Sequence, residues 1–171
     1  EGIVAVFPDG LNRAWADLRI DSDRAPGASP VPPGTDDVVF LTALVARLVK
    51  DGVADPKRVN VTGVSNGGAM TMTLACRQPQ LFAAAASVIA SFTDAVAAAC
   101  KPPQPIPMLV MNGTVDPLVN YQGGKGTSRH GLPNVWATER TVQFWKTLNG
   151  CGDSKGTSTD LPDTNRTDRS T

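Results

Sequence analysis

The chain has 171 residues, 41% hydrophobic and 19% charged, which suits one compact domain and leaves no room for two of ordinary size. Sixteen basic and sixteen acidic side chains cancel, and no Lys/Arg run exceeds two residues, so there is no electrostatic basis for a nucleic-acid clamp or a polybasic membrane anchor. Apolar stretches such as residues 82–86 fall far short of the roughly 18 residues of a bilayer span, which predicts a soluble protein with neither nucleic acid nor membrane as partner.

The chain opens on Glu1, and Ile3-Val4-Ala5-Val6-Phe7 reads as a strand with almost no lead-in, which predicts that the numbering starts inside a longer protein. Residues 21–35 hold four prolines and two glycines and read as an irregular loop. Residues 37–50 carry Val38, Phe40, Leu41, Leu44, Val45, Leu48 and Val49 at helical spacing, with Thr35 and Asp36 as capping candidates and Gly52 as a stop. Asp36 and Asp37 suit a helix start through the macrodipole and, as sequence neighbours, do not face each other as a catalytic pair. Residues 58–62, 82–90 and 106–112 are mostly continuous apolar runs, the pattern of parallel strands covered on both faces, while 67–77 and 138–148 are helical in pattern. The alternation predicts an α/β fold with a mainly parallel sheet, helices on both faces and right-handed crossovers, built from residues 1–152. Residues 153–171 contain one large apolar side chain, Leu161, and read as a polar loop leading onward or a disordered tail.

Cys76, Cys100 and Cys151 match no zinc spacing. One disulfide with a third cysteine left over, and three buried thiols, fit the sequence equally.

The chemistry is concentrated in Thr62-Gly63-Val64-Ser65-Asn66-Gly67-Gly68, a Gly-x-Ser-x-Gly between a β-branched run and a helical pattern. A strand that turns within two residues into a helix strains its central residue and brings Gly63 and Gly67 close enough that a Cβ at either is expected to clash. Ser65 is expected to stand clear of the sheet as a nucleophile, with the backbone N–H of Asn66 facing the developing oxyanion. A serine nucleophile needs a histidine base oriented by a carboxylate. Asp116, in Asn112-Gly113-Thr114-Val115-Asp116-Pro117 just past a buried strand, has the position and chain order of the acid. His130 is the chain's one histidine; it lies among glycines ahead of the last helix and is expected to be a solvated loop residue rather than the base. Trp15, in a loop after a strand's carboxyl end, is the tryptophan expected to face a ligand, whereas Trp145 and the four methionines Met70, Met72, Met108 and Met111 read as core. The sequons at Asn112 and Asn165 are expected by chance in a threonine-rich chain.

Together, Phe7-Pro8-Asp9-Gly10 with Trp15, Thr35-Asp36-Asp37-Val38, Asp55-Pro56-Lys57-Arg58 leading into the serine motif, Asn112-Gly113-Thr114-Val115-Asp116-Pro117 with Tyr121 and Gly123-Gly124, and Phe144-Trp145 with Asn149-Gly150-Cys151 resemble the polyhydroxybutyrate depolymerase-type esterases. That group of secreted α/β-hydrolases includes feruloyl and acetylxylan esterases. The resemblance implies an α/β-hydrolase fold and cleavage of a carboxylic ester, either a polyester or a plant cell-wall feruloyl or acetyl ester, without metal or organic cofactor. It implies Ser65 as nucleophile, Asp116 as triad acid and Asn66 as one oxyanion donor. It also implies an exported protein in which Cys76 pairs with Cys100 and Cys151 with a downstream cysteine. Family members carry a His-Gly segment upstream and a Gly-His-x-Trp-Pro-like segment downstream; neither is in this chain, so a central fragment of the fold is expected. A serine peptidase on the same fold and a binding module lacking the base are the competing readings.

Overall fold

A computed structural model describes residues 2–19, 31–125, 134–152, 156–162 and 164. Its centre is a parallel sheet of β1 (Asn60–Val64), β2 (Ala84–Val88) and β3 (Met108–Met111) in that spatial order, with Val64 beside Val88 and Val88 beside Met111. Helix α2 (Asn66–Arg77) connects β1 to β2, and α3 (Asp94–Ala99) lies between β2 and β3. Helix α1 (Asp37–Lys50) precedes the sheet, and α4 (Thr138–Leu148) follows it. A short antiparallel pair, β4 (Gly124–Lys125) with β5 (Asn134–Val135), stands just before α4.

Helix α1 begins where the sequence predicts, because the Asp36 carboxylate accepts the Val39 N–H at 3.0 Å and caps the first turn. Thr35 does not share that role; its hydroxyl donates to the Pro32 carbonyl at 2.9 Å. At the other end Gly52 takes φ +71°, and the Val53 N–H returns to the Leu48 carbonyl at 2.9 Å, closing the helix with the glycine stop that the sequence suggests.

Helix α2 is buried on every side from Gly68 to Cys76, so it forms the middle of the core rather than an outer layer. Its polar residues are satisfied locally: the Thr71 and Thr73 hydroxyls donate to the Gly67 and Ala69 carbonyls, and buried Ser87 of β2 donates to the Gly68 carbonyl at 3.1 Å. Its Met70, Met72 and Leu74 share one buried cluster with Ala85, Phe92, Val96, Ile106 and Trp145. The Phe92 ring contacts Trp136, Phe144 and Trp145 with centroids 5.0 to 6.1 Å apart, two of the three edge-on.

Three expectations are corrected. Residues 3–7 form no strand: they pair with no described residue, and Ile3 and Phe7 are 98% and 89% exposed. An apolar run supplies only one half of a ladder, and β1 offers its free edge to no described segment. Cover on both faces of the sheet is also absent among the described residues, since Thr62 and Val64 of β1 and Leu109 and Met111 of β3 are exposed along one face. Met111, expected in the core, lies on that face at 54% exposure. No described helix is long and apolar enough to cross a membrane.

Cys76 and Cys100 are disulfide-bonded, tying the end of α2 to the residue after α3 across 24 positions. Cys151 stands outside this bond and is exposed. Closing a loop of that length stabilises by about 3 kcal/mol in the chain-entropy account. Reductant is therefore expected to move the denaturation midpoint down by a corresponding amount; an unchanged midpoint would show that the bond constrains nothing.

Candidate active site

Ser65 follows β1 directly and takes φ 56°, ψ −115°, a conformation that L-residues adopt only under constraint. The constraint is visible on both sides of it. The Ser65 N–H donates to the Val88 carbonyl at the end of β2, and the Ser65 carbonyl accepts the Ala69 N–H, both at 2.9 Å, so strand and helix are locked on either side of one residue. A serine at a helix start ordinarily caps it, as Thr93 caps α3 by accepting from the Val96 N–H at 3.2 Å. The Ser65 hydroxyl makes no such bond and is exposed at the carboxyl end of the sheet.

The glycines around it do not all have the role expected of them. A Cβ on Gly63 would overlap the carbonyl oxygen and carbon of Gly67, as the motif predicts. A Cβ on Gly67 would meet nothing nearer than the Trp15 Nε1 at 4.0 Å, so the expected clash is one-sided. The second obligatory glycine is Gly68, where a Cβ would lie 2.7 Å from the Val88 carbonyl and 3.0 Å from the Ala90 Cβ. It is the gap at Gly68 that lets α2 lie against the end of β2.

Asn66 opens α2, and its backbone N–H has no helical acceptor because it lies in the first turn. This is the position at which a helix N-terminus stabilises negative charge. Its side chain does something the sequence reading missed. The Asn66 Oδ1 accepts the Trp15 N–H at 2.7 Å, while the Nδ2 donates to the Trp15 carbonyl at 3.2 Å and to the Asp17 carboxylate at 2.6 Å. The amide thus pairs with Trp15 as a neighbouring strand would. The same device recurs twice: Asn112 pairs with both backbone groups of Ala90, and Asn149 with both of Ile106. Asn112 gives its other amide hydrogen to the Thr138 hydroxyl at 2.9 Å, so its Nδ2 has both hydrogens engaged, and the sequon there serves packing. Asn165 lies outside the described residues.

Side chains from three helix positions hold the segment 15–18. Besides Asn66, the Asp37 carboxylate accepts the Ala16 N–H at 2.7 Å and the Thr73 hydroxyl accepts the Leu18 N–H at 3.1 Å. Asp37 is therefore more than a favourable charge at a helix end; buried, it ties α1 to this loop. Two adjacent acids at a helix start, of which only one can cap, are the signal that was available for it. Asp17 is buried as well, its carboxylate accepting from the Arg19 guanidinium at 2.7 Å on each oxygen.

Asp116 is half-buried, five residues past β3, and its Oδ1 accepts the N–H groups of Leu118 and Val119 at 2.7 and 2.9 Å. That turn fixes the carboxyl at the same end of the sheet as Ser65. Strands β1 and β3 flank β2, and two strand spacings are about 10 Å. His130 lies outside the described residues. The loop beyond Asp116 is secured by the Tyr121 hydroxyl, which donates to the Glu139 carboxylate at 2.6 Å; that bond, with some burial, raises the phenol above its ordinary pKa. Ile89, with φ 53°, was not foreseen either: a β-branched residue in the left-handed region at the end of β2, between the two site-bearing strands. Among the described residues no His, Cys, Asp and Glu side chains converge in a group that would hold a metal ion.

A sequence profile of the prolyl oligopeptidase family matches residues 33–102, the part that contains the serine turn. Feruloyl esterase B of Piromyces equi is 28% identical over 158 residues, covering 88% of this chain and 27% of that protein. The putative esterase NocK of Nocardia uniformis subsp. tsuyamanensis is 32% identical over 123 residues, covering 71% of this chain and 33% of its own length. A probable feruloyl esterase C of Aspergillus niger is 27% identical over 122 residues, covering 71% of this chain and 38% of its own. The chain spans well under half the length of these curated relatives. With the parallel sheet and the serine turn, the profile match identifies an α/β-hydrolase fold.

Proposed function

We propose that the protein is a serine carboxylic-ester hydrolase that works through an acyl-enzyme. The observation that carries this reading is the strained, non-capping Ser65 at the strand-to-helix turn, with the first-turn N–H of Asn66 beside it. In the proposed reaction the Ser65 oxygen attacks the ester carbonyl carbon as a histidine from outside the described residues takes the hydroxyl proton. The Asn66 N–H stabilises the oxyanion, and collapse of the tetrahedral intermediate breaks the acyl C–O bond, the histidine returning the proton to the departing alcohol. Water then repeats the sequence on the acyl-enzyme, releasing the acid and restoring Ser65. Asp116 holds the histidine in the required tautomer, and Trp15 contributes to substrate binding. No metal or organic cofactor enters this scheme.

Feruloyl esters are the first substrate class to try, because relatives bearing that name match most of the chain. Acetyl esters and hydroxyalkanoate polyesters are the comparison class drawn from the motif resemblance. Export fits the Cys76–Cys100 bond, since disulfides persist in oxidising compartments. The test is turnover by the full-length protein: hydrolysis of p-nitrophenyl and feruloyl esters with peptide anilides left intact is expected. Anilide cleavage would favour the peptidase reading, and a protein inert to both esters and a fluorophosphonate probe would favour a binding module.

A further inference from the structure

The Asn66 amide spends its oxygen and both of its N–H groups on one short stretch of chain. It accepts the Trp15 N–H and donates to the Trp15 carbonyl and to Asp17 Oδ2. Only an amide meets this set, because a carboxylate has no hydrogens to donate and a hydroxyl cannot span both backbone groups. The oxygen and nitrogen assignments follow from the partners themselves, an N–H on one side and two oxygens on the other. Asp17 gives the clamp a rigid base: its side chain is wholly buried and held on both oxygens by Arg19, 14% exposed. The residue after the nucleophile is thus fastened to a loop about fifty positions away in sequence.

The clamp delivers the Trp15 indole to the elbow. Its Nε1 lies 4.0 Å from the point where a Cβ on Gly67, two residues past Ser65, would stand. The residue is half-buried, and the indole N–H has no acceptor among the described residues. In Trp145 the same donor is sealed in the core; in Trp136 it is bonded to Asp94 at 2.6 Å. Trp15 is the tryptophan whose donor remains available beside the nucleophile. The missing side chain at Gly67 leaves open the space between that donor and the helix N-terminus.

We propose that the Trp15 indole N–H donates a hydrogen bond to an oxygen of the ester substrate, and that the Asn66 side chain is the positioning residue that holds it there. This rests on the serine-esterase reading and adds to it a specificity contact and its support. Substrates with an oxygen close to the scissile carbonyl, in the ester linkage itself or on the alcohol, can accept this bond.

The test is a double-mutant cycle on the full-length protein, with p-nitrophenyl butyrate turnover and the rate of labelling by a fluorophosphonate as the two readouts. Trp15→Phe removes the donor and keeps an aromatic ring; kcat/KM is expected to fall about tenfold, and the labelling rate with it. Asn66→Ala is expected to cost about as much. In the Trp15→Phe background, however, Asn66→Ala should cost little further, because its effect passes through the indole. Should Asn66→Ala fail to fold, Asn66→Asp carries the cycle, and it adds a pH signature. The Arg19 guanidinium holds both Asp17 oxygens, so the new carboxyl can take over the Asn66 bond to Asp17 only while it carries its own proton, and activity relative to wild type at the same pH should decline as pH rises and that proton is lost. The decline should be absent in the Trp15→Phe background. Unchanged kinetics in Trp15→Phe, or losses that multiply in the double variant, would overturn the proposal while the esterase reading stands. A wild-type protein that neither labels nor turns over would remove both.

Discussion

Ser65→Ala is expected to lower kcat/KM of the full-length protein on a short-chain ester by several orders of magnitude, with folding unimpaired. Nucleophile and base act as a unit, so deleting the oxygen removes covalent catalysis altogether and leaves only oxyanion stabilisation and binding. The stability side of the expectation is equally specific. The Ser65 hydroxyl makes no capping bond, so its removal deprives α2 of nothing. Alanine still carries a Cβ at φ 56° and keeps the backbone strain, which puts the change in stability near zero. A loss of less than about tenfold would remove Ser65 from the nucleophile's role, and a large fall in melting temperature would show that the hydroxyl supports the fold instead.

Gly63→Ala is expected to be strongly destabilising, since among the described glycines it is the one where an added Cβ would come nearest to backbone atoms. The new carbon would overlap the Gly67 carbonyl group, and neither backbone can yield: Gly63 is bound in register opposite Ser87, and Gly67 lies in the first turn of a helix that is buried from Gly68 to Cys76. Relief requires α2 to lift off the sheet, uncovering Met70, Met72 and Leu74, and the cost is several kcal/mol, comparable with a domain's whole stability. Gly67→Ala is the control. Its Cβ would meet only the edge of Trp15 at ordinary contact distance, and alanine favours a helix over glycine by about 1 kcal/mol, so stability should hold or rise. Denaturation midpoints of the two variants check the pair. Equal destabilisation would mean that the turn is looser than its close contacts imply.

Local signals in this chain are legible where the cause is local. Helix α1 was bounded at both ends from its spacing, its cap and its glycine, because capping and φ > 0 are decided within a few residues. The strand before Ser65 and the helix after it were legible for the same reason, with ends displaced by two residues or fewer. Helix α3 passed unnoticed: six residues, mostly alanine, carry too little periodicity to register. Residues 3–7 show the converse, since β-propensity and an apolar run do not make a strand without a second edge to bond.

Composition and motif spacing were sufficient to establish that this is an α/β chain with a serine poised at a strand-to-helix turn, because glycine, serine and a β-branched run interact across a handful of bonds. Folding settled which groups meet that turn from far along the chain. The mate of Cys76, the burial of Asp17 and Asp37, the need for glycine at 68 rather than 67, and the grip of Asn66 on Trp15 all depend on segments 20 to 51 positions apart being brought within hydrogen-bonding or van der Waals distance. No residue announces such a partner in its own sequence neighbourhood. An asparagine that mimics a strand edge reads, before the chain has folded, like any other polar residue at a helix start.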